Sequence, residues 1–150
     1  MSGRAAGVYQ HADVLLLHAH RRAQAGFLVA VPPVIRLPPS SSAAEVGKAL
    51  RQALGAFQAE REDPADWSGL RSEFLQATGF RSWKALEESA KSCWIEEQAG
   101  RIELTPLKNG GSRGADKGFQ PFGVPPSTME ASESDAEIGQ ALLDALSRSK

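Results

Sequence analysis

The sequence predicts an α+β fold: a single domain with a mainly antiparallel sheet and helices packed on one face. Three observations predict it. Short apolar runs of strand length alternate with residues that turn a chain, as hairpins require. Two amphipathic helices carry complete start signals. These helices are also near copies, since SAAEVGKALRQALG at 42–55 returns as SDAEIGQALLDALS at 134–147, with eight of fourteen positions identical and Val46/Ile138 a conservative ninth. Each copy follows prolines and a short extended segment, so the chain reads as two similar strand–loop–helix units. A parallel α/β arrangement is the main competitor.

Residues 1–12, small, glycine-containing and without period, are expected to be a flexible N-terminal tail. Residues 13–20 (DVLLLHAH) and 26–31 (GFLVAV) read as strands joined by a turn at 21–25. Pro32 and Pro33 then interrupt pairing, because proline has no N–H to donate, and leave 34–37 as a brief third strand. Ser42 and Glu45 form a capping box, the hydroxyl taking an orphan amide and the carboxylate reaching back. Val46, Leu50, Ala53, Leu54 and Phe57 follow on one face at helical spacing. Gly47, inside the second turn, costs about 1 kcal/mol against alanine. Its recurrence as Gly139 predicts that both helices approach another backbone closely there.

The acidic stretch 60–66 reads as a surface connection ending at Trp67. Residues 70–78 form a short helix stopped by Gly79, and Ser82 caps the next, with Trp83, Leu86 and Ala90 inward. Residues 93–96 and 101–105 make a hairpin around Gly100. In it Ile102 and Leu104 alternate with Arg101, Glu103 and Thr105, which predicts one wet face. Residues 106–126 hold five glycines and four prolines and read as a Gly/Pro-rich loop anchored by Phe119 and Phe122; loops this long are often functional. After a brief strand at 128–131, Ser134 and Glu137 open the closing helix, with Ile138, Leu142, Ala145 and Leu146 inward.

At 150 residues, with 41% hydrophobic and 23% charged side chains, the chain can bury a core without disulfides or metals. Residues 13–150 are expected to form the one domain. The single cysteine makes no internal disulfide, and no run approaches the roughly 18 apolar residues of a membrane span. The expectation is a cytoplasmic protein without membrane association. Net charge is −1 overall but uneven: +4 over residues 1–59, −4 over 60–104 and −1 over 105–150. Nucleic-acid binders depend on phosphate contacts and usually carry a basic excess. Here the concentrated charge is acidic and central, which disfavours a nucleic-acid partner and fits either a solvated helical surface or a complement to a basic protein.

Few residues of the sequence are arranged for chemistry. His18 and His20 share a strand face, with His11 nearby in sequence, and could serve a metal or acid–base work. Yet there is no HExxH and no Cys/His cluster. Cys93 has no local base or electropositive setting and reads as a packed thiol. The Gly-rich stretch lacks GxxxxGK[ST]. Glu87 with Glu88, and Glu96 with Glu97, are adjacent pairs that do not face one another, so neither is an acid–base dyad. Trp67, Trp83 and Trp94 each read as core, with Trp67 the best candidate for an exposed interface anchor. No catalytic residue, metal ligand or cofactor is assigned, and the chain is not expected to be an enzyme.

Four stretches carry a resemblance: GFLVAVPPVIRL ahead of the first capped helix, DPADW at 63–67, FRSWKALEESAKSCWIEEQAGRIELTPLKNGG at 80–111, and the closing SDAEIGQALLDAL. In their order and spacing they resemble the CdiI type of contact-dependent growth inhibition immunity protein, which neutralises a toxin carried at the tip of CdiA. The likeness runs from about residue 13 to the end; the first ten residues and an insertion around 112–115 depart from it. It implies a cytoplasmic protein that occludes the C-terminal toxin domain of a cognate CdiA, a nuclease or ribonuclease, by steric and electrostatic fit. From charge and placement, the expected contacts are Glu60, Glu62, Asp63, Asp66, Trp67, Glu87 and Glu88. The alternatives are a small histidine-dependent RNA or phosphoester hydrolase using His18 and His20, and an orphan homo-oligomeric binding protein using a sheet edge. The oligomeric state is open.

Overall fold

Short apolar runs flanked by turn residues pair into a seven-stranded sheet in the computed structural model, which describes residues 3–59, 62–111 and 118–150. The elements are β1 (Arg4–Gln10), β2 (Leu15–Arg22), β3 (Leu28–Leu37), α1 (Ala43–Gly55), α2 (Trp67–Thr78), α3 (Trp83–Glu87), β4 (Lys91–Gln98), β5 (Arg101–Asn109), β6 (Phe119–Pro121), β7 (Ser127–Glu130) and α4 (Asp135–Arg148). The strand order is β3-β2-β1-β4-β5-β6, with β7 also pairing β5, and every pairing of these strands is antiparallel. The expected α+β class and antiparallel sheet are therefore present.

The expected tail is the first correction. Arg4–Gln10 is not loose: it forms β1, the strand between β2 and β4, with Ala5, Ala6 and Val8 buried. Its small side chains answer to its neighbours. Gly7 pairs with His18, and a Cβ at Gly7 would drive into the His18 imidazole. The composition that reads as a tail is that of a strand running beneath two histidines.

Pro32 and Pro33 do not end their strand. His18 pairs with Val34 and Ala19 with Val31, so the two prolines form a bulge within β3. β3 is the outermost strand on its side, where a missing N–H takes no bond from a neighbour. Helix α2 starts at Trp67, three residues before its expected start, because Asp66 caps it by accepting the Ser68 amide at 2.9 Å. The 106–126 loop is shorter than expected, since 106–109 prolong β5 and Phe119–Pro121 pairs with it as β6. The insertion around 112–115 lies outside the described residues.

Strand alternation sorts the side chains onto two faces. Val8, Leu15, Leu17, Ile95, Ile102 and Leu104 point to the face covered by α1 and α4, and with Val46, Leu50, Leu54, Ile138, Leu142 and Leu146 they form the larger core. The repeat helices thus share one face as expected. The opposite face, expected to be wet, is covered in part by α2 and α3, because Leu16 and Val14 give it an apolar patch that Phe74 and Leu86 close.

Both repeat helices are capped by the predicted serine, Ser42 and Ser134 accepting the amides of Glu45 and Glu137. The reciprocal bond that completes the box is made by Glu45 alone of the two; Glu137 accepts from the Ser134 hydroxyl instead. They cross at their paired glycines. A Cβ at Gly47 would lie 2.6 Å from the carbonyl carbon of Asp135, and one at Gly139 would lie 2.7 Å from that of Ala43. The backbone each glycine was expected to meet is the other helix. Beside the crossing, Arg51 ties α1 to the start of α4, with Nε donating to Asp135 Oδ1 at 2.6 Å, Nη1 to the Ala131 carbonyl at 2.7 Å and Nη2 to the Glu133 carbonyl. Arg51→Met keeps the stem and removes these bonds. Because the site is more than a third exposed, the expected loss is only about 1–2 kcal/mol in urea unfolding.

Candidate functional site

Four of the residues expected at an interface gather where the β2–β3 turn meets the start of α2. Asp63 Oδ1 accepts the Gln24 amide at 3.0 Å, and the Glu62 carbonyl accepts from Arg21. Asp66 is occupied by its capping bonds, and the Ser68 hydroxyl and amide hold its exposed carboxyl below the usual range. Trp67 is half-buried, edge-on to Phe27 at 5.5 Å, with the Arg21 guanidinium 5.7 Å from its ring centre. Of these acidic residues, Glu62 is the one whose exposed side chain makes no hydrogen bond or ion pair among the described residues. Glu60 lies outside the described residues.

Glu87 and Glu88 are elsewhere. They end α3 beside Asn109, whose Nδ2 donates to the Glu87 carbonyl at 2.8 Å. That is the Lys91 end of β4, whereas the acidic connection lies toward its other end, roughly 20 Å away at strand rise. Burial raises the Glu87 carboxyl, with Arg71 opposing. The six expected residues that are described therefore do not form one patch.

The structure instead exposes a surface that sequence reading missed. On the face shared with α2 and α3, one row across the sheet runs Ala30, His20, Ala5, Glu96, Glu103 by strand register. The helices stop short of it. Ala5 is too small to fill the space, and a trough of about 460 Å³ opens there, lined by Ala5, His20, Phe27, Leu28, Trp94 and Glu96. Phe27 is 50% exposed, Leu28 40% and Trp94 43%; these are the exposed large hydrophobics of the described residues, and all three line the one trough. Phe27 and Leu28 also wall a neighbouring hollow of about 360 Å³ that reaches Trp67, Arg71 and Trp83. Trp94 is thus not core. The alternation Cys93 and Ile95 inward, Trp94 and Glu96 outward, was the available signal.

His18 and His20 do share a face, with ring centres 5.0 Å apart, but they are packed. His18 is stacked on Tyr9, edge-on to Phe74 and bonded through Nδ1 to the Ala19 carbonyl. Burial pulls His18 down to about 4 and His20 to about 3, the latter aided by its neighbour, so both are neutral near pH 7. His11 stacks on Phe80 instead of joining them. No group of three metal-ligating side chains occurs among the described residues. The Cys93 thiol is buried and pushed up to about 12, as fits a packed cysteine. Among the described residues, no helix is long and apolar enough to cross a membrane.

Comparison with known proteins gives this surface a context. The family model described as CDI immunity protein, CdiI, matches residues 55–149. No curated protein matches the chain significantly. Among solved structures, a protein of unknown function from Neisseria meningitidis superposes with a TM-score of 0.81 at 18% identity, covering 99% of this chain and 96% of that one. A chain of the CdiA-CT/CdiI toxin and immunity complex from Yersinia pseudotuberculosis superposes with a TM-score of 0.77 at 19% identity, covering 100% and 99%. At these identities the two structures establish a common fold.

Proposed function

The chain belongs to the CdiI family of contact-dependent growth inhibition immunity proteins, and from that membership we propose that it binds and neutralises the C-terminal toxin domain of a cognate CdiA, a nuclease, inside the cell. The family match over 55–149 is the observation that carries this reading. Its mechanism is steric and electrostatic: the protein covers the toxin's working surface and performs no bond chemistry of its own. A nuclease must bind phosphates, so its cleft is basic. The −4 balance of residues 60–104 favours encounter with such a surface.

Within that segment the acidic connection is the part placed to meet a partner together with aromatic side chains. We assign Glu62, Asp63 and Asp66, with Trp67 and Phe27 behind them, to the toxin-facing side. Glu87 and Glu88 stand too far off to share a small contact and are left to solvent.

The direct test is co-purification with the C-terminal domain of a cognate CdiA, followed by rescue from its toxicity. Failure of both defeats the reading. A finer test uses Glu62→Lys, because that side chain holds nothing in place. Association is expected to slow by about threefold to tenfold at low salt, with the difference fading as salt screens it. Unchanged stopped-flow rates at every ionic strength would remove Glu62 from the contact.

A further inference from the structure

We propose that the open trough is the anchor site for a lysine or arginine of the toxin domain, its cation held against the Trp94 ring and by the carboxylates of Glu96 and Glu103. This rests on the immunity reading and adds to it a site and the chemistry of its ligand. Glu96 and Glu103 are direct partners across β4 and β5, so their side chains stand side by side on the same face. Like charges placed opposite one another destabilise a sheet, and an unbound protein would be better without them. The nearby arginines do not relieve the pair. Arg4 bridges to Glu97, Arg22 donates to the Gly26 carbonyl and covers the Phe57 ring, Arg71 lies over Trp83, and Arg101, on the same face as Glu103, is engaged by Glu130 and Thr128. Among the described residues neither Glu96 nor Glu103 has an ion-pair partner.

The rest of the trough suits a cation on an alkyl stem. Trp94 offers the ring face that attracts ammonium and guanidinium groups, while Phe27 and Leu28 line a wall for the methylenes. The floor is Ala5 and the His20 ring, whose Nδ1 is buried without a hydrogen-bond partner, and it brings no competing positive charge. An apolar slot ending at the Glu96 carboxylate, with Glu103 next to it across the strand pair, is complementary to a long basic side chain. A basic toxin surface supplies such side chains, and the trough is continuous through Phe27 with Trp67 of the acidic connection.

The test uses the intact protein and the purified C-terminal toxin domain of its cognate CdiA, with affinity read by calorimetry. Glu96→Gln and Glu103→Gln are each expected to weaken binding by about tenfold, and Trp94→Ala by at least as much. The free Glu→Gln variants should melt at an unchanged or higher temperature, because they relieve a like-charge pair. That combination separates an anchoring role from a structural one. If wild type binds and all three variants bind as tightly, the trough is not the anchor and the immunity reading stands. If wild type does not bind, both fall. Equal weakening with lowered melting temperatures would mean damage to the sheet and would overturn the assignment. So would a dimer in solution that Trp94→Ala dissolves, which would give the trough to a second copy of this chain.

Discussion

Gly139→Ala is expected to destabilise the protein by about 3 kcal/mol or more, although the same change in an exposed helix would stabilise it by about 1 kcal/mol. The reversal comes from the crossing of α1 and α4. A methyl group at 139 would stand 2.7 Å from both the Ala43 carbonyl carbon and the Gly47 amide nitrogen, and these are backbone atoms of a capped helix that cannot rotate away. The helices would have to separate, losing contact among Val46, Leu50, Ile138 and Leu142 at the centre of the larger core. Gly47→Ala should behave alike, since its methyl would meet Asp135. Once one methyl has parted the helices, the second costs less, so the double variant should fall short of the summed losses. Gly55→Ala is the control: nothing lies within 4 Å of a Cβ there, and the expected change is neutral to about 1 kcal/mol favourable. Urea unfolding of the four proteins decides it, and a neutral Gly139→Ala would mean the helices do not cross as closely as described.

Those glycines show what a sequence of this kind makes legible. The serine caps at Ser42 and Ser134 are local, each bond spanning three residues, so both helix starts could be placed without knowing the fold. The crossing could be inferred because the same local penalty was accepted twice at matched positions. What could not be read was the partner: that Gly47 meets Asp135, or that Arg51 reaches Glu133, depends on 80-odd residues of intervening chain. β1 failed for the same reason. Its Ala5, Ala6 and Gly7 carry no apolar period, and only the bulk of His18 and His20 on the adjoining strand makes small residues necessary. The bulge at Pro32 and Pro33 required knowing that β3 is an edge. By contrast, the exposure of Trp94 was legible: its neighbours Cys93 and Ile95 alternate inward, and counting by two places Trp94 and Glu96 on the other face. The candidate surface was missed where aromatic identity was taken to mean burial. Charge alone assembled Glu62 with Glu87, and charge carries no information about which end of a sheet a residue occupies.

The buried histidines set the other large expectation. Stability should fall by about 4 kcal/mol between pH 7.5 and pH 5, about 2 kcal/mol for each of His18 and His20. In the unfolded chain both titrate near 6.5, whereas burial depresses them to about 4 and about 3 in the fold. Below 6.5 the unfolded state therefore takes up protons that the folded state refuses. The contribution is complete above 6.5 and is lost as pH falls toward the folded values. Most carboxylates titrate below this window and leave the slope to the imidazoles. His20→Gln should remove about half of the pH dependence while keeping the fold, because the ring packs on His18 but also lines the open trough, which can take a side chain of similar size. Unfolding free energies at several pH values measure the slope, and proton resonances of the imidazoles give the folded titration directly. A folded His20 titrating near 6.5 would mean that water reaches its ring through the trough. The floor would then become positive under mild acid and repel the basic side chain assigned to it, so weaker toxin binding below neutrality would accompany that result. With both rings neutral, affinity should instead hold steady down to pH 6, the charged side chain lining the trough being that of Glu96.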